Sequence, residues 1–210
     1  MALLIQNNLL FLHIPKTGGN WVTAVLRSMG LIKQRIGHKH ATFNQLPKSF
    51  VNTFLEKDNA RVFCFIRHPL SWYESWFKYM TQPSRNWRAW GSCHEWHPCQ
   101  PLNGLGDADF NRFMHNVLRQ EPGFVTRLYD SYIQRPSTRP TLYVGKQENL
   151  RNDLIEIFET TGVEFDRDLI LSYPAVGVSP QPMPPVQWGP GIRTQAESFE
   201  ARGISEWGYQ

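Results

Sequence analysis

Apolar residues fall into two kinds of run along this chain. Leu9-Leu10-Phe11-Leu12-His13-Ile14 and Arg61-Val62-Phe63-Cys64-Phe65-Ile66 are short and nearly continuous, as strands covered on both faces are. Thr141-Leu142-Tyr143-Val144-Gly145 reads as a third strand. Elsewhere the apolar positions recur at helical spacing. Trp21, Val22, Val25, Leu26 and Met29 predict a helix directly after the first strand. Leu70, Tyr73, Trp76, Phe77 and Met80 share one stripe, with Ser71 and Ser75 opposite it and Pro69 suited to the first turn. A further helix, capped by Asp107 or Asp109, runs through Phe113, Val117 and Leu118 to the Pro122-Gly123 break. Another spans residues 124 to 133. Residues 149 to 160 form a helix that Gly162 stops, and a last one covers residues 194 to 202.

Residues 31 to 60 are less regular and predict a short extended piece, a loop holding His38 and His40, and one or two short helices. Residues 172 to 191 are proline-rich and extended. Strands alternating with helices predict an α/β fold, with a central, mainly parallel β-sheet flanked by helices. The length of 210 residues suits a single domain, 1–210.

Between the first strand and its helix lies Pro15-Lys16-Thr17-Gly18-Gly19-Asn20. Glycines let the backbone approach a ligand, and the first N–H groups of a helix lack internal partners. The helix dipole adds positive charge at the same point. Lys16 adds a full charge. This is an anion cradle, and ligands of parallel sheets bind at the carboxyl ends of the strands, where Arg67 also falls. A Walker loop is excluded, because it places its lysine after the glycines; here Lys16 precedes them.

Composition narrows the partners. The formal charge of +4 comes from 22 basic and 18 acidic residues without a Lys/Arg run, so a nucleic-acid interface is not expected. Gln6-Asn7-Asn8 interrupts the apolar start, and no basic region or cleavage site follows it. Neither a signal peptide nor a membrane span is expected, and three cysteines without an export signal point to the cytoplasm.

Other candidate groups allow more than one role. Arg67 and Ser75 can hold a phosphate as fork and hydroxyl donor, or serve as a carboxylate-paired arginine and an ordinary helix serine. His38 and His40 can be surface residues, metal ligands or an acid/base pair. Residues 81 to 106 predict a long functional loop whose tryptophans stack on a sugar or pack on the core. Within it, Cys93, His94, His97 and Cys99 match no standard zinc spacing and read rather as a disulfide or free thiols; no metal is expected.

His13-Ile14-Pro15-Lys16-Thr17-Gly18-Gly19 resembles the 5′-phosphosulfate loop of sulfotransferases, in the form typical of carbohydrate sulfotransferases. Arg67-His68-Pro69 with Ser75 is similar to that family's 3′-phosphate motif. Gly145-Lys146-Gln147-Glu148-Asn149-Leu150 with Asp153, and the ending Trp207-Gly208-Tyr209, resemble two further segments. The resemblance runs from residue 9 to 209, while Asn20-Trp21 is similar to the cytosolic branch instead.

This resemblance implies a P-loop NTPase-like domain. It also implies a co-substrate, 3′-phosphoadenosine-5′-phosphosulfate, whose sulfuryl group passes in line to an acceptor hydroxyl, leaving 3′-phosphoadenosine 5′-phosphate. The acceptor is a small molecule or glycan, and the loop's form leans towards a sugar hydroxyl. Lys16, Thr17, Gly18, Gly19, Asn20, Trp21, Arg67 and Ser75 would bind the donor, with Lys16 stabilising the leaving phosphate. His40, in Lys39-His40-Ala41-Thr42, would be the general base, with His38 the runner-up. Trp21 packs on the adenine or faces the core, and Arg193 offers a late contact to the 3′-phosphate. A non-catalytic nucleotide-binding module and a small-molecule kinase are the alternatives. The oligomeric state is not legible.

Overall fold

Strands at Ala2–Leu4 (β1), Leu9–Phe11 (β2), Gln34–Ile36 (β3), Arg61–Ile66 (β4) and Thr141–Lys146 (β5) form one sheet in the order β3-β1-β2-β4-β5. The computed structural model describes residues 2–82, 93–133, 141–177 and 185–209. Backbone contacts divide the chain into two units, Met1–Arg67 with Ser131–Val178, and His68–Asp130 with Ser179–Gln210. All five strands belong to the first.

The sheet is mixed. β2, β4 and β5 pair in parallel, whereas β1 runs antiparallel to both β2 and β3. The parallel part coincides with the three expected strands. The antiparallel part comes from β1, whose three residues are too short to show a period, and from β3, the short extended piece expected after residue 31. β2 also ends earlier than its apolar run: beyond Phe11 the Leu12 N–H still bonds across, to the Phe63 carbonyl at 2.9 Å. Residues 12 to 14 are thereby released into the turn that follows.

Helices α1 (Gly19–Ser28), α2 (Lys48–Leu55), α6 (Leu150–Thr161) and α7 (Arg167–Ser172) complete the first unit. Its core joins Leu9, Phe11, Phe63 and Phe65 of the sheet to Trp21, Val22, Val25 and Leu26 of α1 and to Leu154, Ile157 and Phe158 of α6. α1 buries the apolar stripe read from its sequence. α6 stops at Gly162, whose φ of 66° is the left-handed C-terminal cap expected there. α7 was not expected, because its six residues lie below the length at which helical spacing becomes legible.

The second unit contains α3 (Pro69–Met80), α4 (Phe110–Gln120), most of α5 (Phe124–Ile133) and α8 (Pro190–Glu206). His68 caps α3, its Nδ1 accepting the Leu70 N–H at 3.2 Å, and Asp109 caps α4 by accepting from Arg112 N–H. Trp72 is fully buried beside the expected stripe of α3 and stacks on Trp76, so the apolar face is wider than its period suggests. α8 begins four residues before the expected helix and ends four after it. It brings in a buried carboxylate, Glu200, which accepts hydrogen bonds from the Tyr73 hydroxyl, from the Val125 and Thr126 N–H groups and from the Thr126 hydroxyl. Among the described residues no helix is long and apolar enough to cross a membrane.

Candidate functional site

β2 and β4 point the same way, so the turn after β2 and Arg67 after β4 both lie at the carboxyl edge of the sheet. In that turn Lys16 has φ 66° and Gly18 φ 85°. The left-handed region suits Gly18, but it is unusual for a lysine. The other described non-glycine residues with positive φ are Asn7 and Asn8, of a type that tolerates it. The turn is braced from below by the Thr17 hydroxyl, which donates to the Ile14 carbonyl at 3.0 Å. Thr17 is buried, and what it presents to the turn is main chain.

The first bonded amides of α1 are Trp21 and Val22, both donating to the Gly18 carbonyl at 2.9 and 3.2 Å. Among the described residues the N–H groups of Thr17, Gly18, Gly19 and Asn20 donate to no main-chain carbonyl. Asn20 is exposed. Such a set of amides at a helix N-terminus is suited to an anion.

Gly19 adds a steric condition. A Cβ there would sit 2.2 Å from the His13 ring, which fills that space. His13 is buried, lies against Phe11 at 5.8 Å between ring centres, and meets the His40 ring edge-on at 4.7 Å. Burial first, then the neighbouring His40 and Lys39, hold its pKa well below the ordinary histidine value. His13 is therefore a neutral buttress of the turn. His40 is half-buried and is tied to the same place, its Nδ1 donating to the His13 carbonyl at 2.8 Å. The Tyr132 hydroxyl donates in turn to the His40 carbonyl. His38 is exposed.

The corner between β5 and α6 forms the other wall. Asp153 accepts the Lys146 N–H and the Asn149 side-chain amide, both at 2.6 Å, and so holds residues 146 to 149 in place. Arg151 donates to the carbonyls of Ile170, Leu171 and Tyr173 at 2.6 to 2.9 Å, satisfying the end of α7, and lays its guanidinium 5.0 Å from the centre of the Trp21 ring. A pocket of about 410 Å³ lies between this corner and the turn, lined by Gly18, Trp21, Gln147, Arg151 and Val176 among others. Trp21 thus belongs to the core and also lines the pocket.

Lys16, Thr17, Gly18, Gly19, Asn20, Trp21, His40 and Arg67 therefore all belong to the first unit. Ser75 lies in the second unit, half-buried on α3. So does Arg193, which is paired with Glu197 at 2.9 Å. Arg151 and Tyr132 were missed as site residues, because they act through partners 19 to 92 residues away; Asp153, whose partners lie four and seven residues away, carried a signal only through its segment's resemblance. Among the described residues no disulfide joins Cys64, Cys93 or Cys99, so the disulfide reading of the last two is not met. Among the described residues no group of three or more His, Cys, Asp or Glu is placed to hold a metal. Trp87 and Trp90 of the expected loop lie outside the described residues. Comparisons of the chain with models of protein families, with curated proteins and with solved structures find no match.

Proposed function

We propose that this protein is a sulfotransferase which moves the sulfuryl group of 3′-phosphoadenosine-5′-phosphosulfate to an acceptor hydroxyl. The observation that carries this reading is the bond from His40 Nδ1 to the His13 carbonyl. It puts a candidate base and the Lys16 turn on one scaffold, as sulfuryl transfer requires. Chemically, the leaving phosphate needs positive charge and donors where its charge grows, and the attacking hydroxyl needs somewhere to lose its proton. Lys16 and the N–H groups of residues 17 to 20 meet the first need. His40 meets the second.

The residues present fit such a donor. Its 5′-phosphosulfate end suits the cradle, where neither Gly18 nor Gly19 carries a Cβ. Its nucleoside end suits the pocket beside Gly18 and Trp21, whose volume of about 410 Å³ is that of a small-ligand site. Arg67, at the same edge of the sheet, supplies a planar donor for the 3′-phosphate. The motif's form favours a sugar acceptor. A kinase would place its lysine after the glycines.

The test is calorimetric titration with 3′-phosphoadenosine 5′-phosphate, followed by transfer assays with labelled donor over a panel of glycan and small-molecule acceptors. Lys16→Ala and Arg67→Ala should each abolish transfer while leaving the fold intact. His40→Ala should lower turnover with donor affinity nearly unchanged. Absence of both nucleotide binding and transfer would sink the proposal. Phosphate transfer from ATP with magnesium would replace it with the kinase, and donor binding without turnover would favour a non-catalytic nucleotide-binding module.

A further inference from the structure

We propose that Tyr132 is a positioning residue for His40, holding its ring in the tautomer with the proton on Nδ1, so that Nε2 carries the lone pair a base needs. The inference rests on the reading of His40 as the base. A carbonyl can only accept, so the 2.8 Å contact between His40 Nδ1 and the His13 oxygen requires a proton on Nδ1. A neutral imidazole has one ring proton, and its other nitrogen is then the acceptor.

The contact persists only if both of its ends are held. At the His13 end, the residue is buried and its ring is packed against Gly19 and Phe11. The His40 end is weaker. His40 lies in an irregular stretch between β3 and α2, steadied locally by the Ala41 N–H bonding to the His38 carbonyl at 3.1 Å. The hydroxyl of Tyr132, a residue with no exposed surface, donates to the His40 carbonyl from 92 residues further along the chain. One bond thus grips the ring of His40 and another its main chain.

Long-range ¹⁵N–¹H correlation spectra of the labelled protein at pH 8 read the tautomer directly, without any substrate. In the wild type the His40 signals should be those of a protonated Nδ1 and an unprotonated Nε2. Tyr132→Phe should move them towards the Nε2–H form and lower kcat by roughly tenfold, a part of the roughly 10²–10⁴-fold that a general base contributes. Affinity for 3′-phosphoadenosine 5′-phosphate should stay unchanged.

A wild-type ring protonated on Nε2 overturns the proposal, and this measurement depends on no variant. An unchanged tautomer in Tyr132→Phe overturns it too. Loss of the fold in that variant, seen by circular dichroism, does the same by making the hydroxyl structural. A tautomer that shifts in a protein without transferase activity would leave the hold on His40 standing and defeat the sulfotransferase reading alone.

Discussion

At residue 18 the backbone turns through φ 85°, whereas at residue 19 it stays outside the left-handed region and the constraint is the His13 ring 2.2 Å from where a Cβ would be. Gly18 is therefore held by conformation and Gly19 by contact. The consequence differs between them. A Cβ at residue 18 would meet the Leu150 side-chain end at 2.7 Å, which can swing aside, while at residue 19 it would meet a buried ring hemmed in by Phe11 and His40. Gly19→Ala should cost about 1–3 kcal/mol in chemical denaturation, the usual penalty of overpacking. It should also weaken binding of 3′-phosphoadenosine 5′-phosphate by distorting the turn. Unchanged stability and affinity would show that the ring is not the buttress described. The positive φ of Lys16 belongs to the same scale. A strained lysine persists only where its surroundings hold it, and here the Thr17 hydroxyl spans it by its bond to the Ile14 carbonyl.

Among the elements, α5 shows how a buried charge can organise a helix start. Its first N–H groups, on Val125 and Thr126, are met by Glu200 of α8, which also receives the hydroxyls of Thr126 and Tyr73. Burial, and next to it the charge of Glu200, push the Tyr73 phenol well above its usual pKa, so the hydroxyl stays a donor. Glu200→Ala would leave two amides and two hydroxyls buried without this acceptor. The expected loss is about 3–5 kcal/mol, or roughly 6–20 °C in Tm for a chain of this size, measured by thermal denaturation. Glu200→Gln should lose less, since it keeps one acceptor oxygen. Equal stability of the Ala variant and the wild type would remove the carboxylate from this role.

Over the whole molecule, stability should depend on pH through His13. Its folded pKa is lowered, so between that value and the ordinary value of about 6.5 the unfolded chain binds a proton that the folded chain refuses. More protons on the unfolded state make stability rise with pH. The contribution is complete above about pH 6.5 and is lost as pH falls below it, with a slope of at most about 1.4 kcal/mol per pH unit for one group. Carboxylates add their own acid sensitivity, so the diagnostic quantity is a difference. The unfolding free energy of His13→Gln, followed from pH 7 to 5, should fall less steeply than that of the wild type. Parallel curves would assign the dependence to other groups.

The division of labour between sequence and structure follows from the range of each interaction. β4, β5, α1, α4 and α6 were legible because period and caps are local properties. So was the turn proposed as a cradle, since residues 15 to 20 supply its lysine, its glycines and its helix start within a single stretch. Contacts between residues distant in the chain were not legible. The antiparallel β1 depends on pairing with β2 and β3, Glu200 finds Tyr73 and Thr126 at separations of 127 and 74 residues, and Arg151 finds its acceptors 19 to 22 residues away. The histidines divide the same way. Residue type brought His38 and His40 forward together and the resemblance put His40 first; what only the folded chain adds is the pair of bonds from His40 to the His13 carbonyl and from Tyr132 to His40, which span 27 and 92 residues and which no local pattern carries.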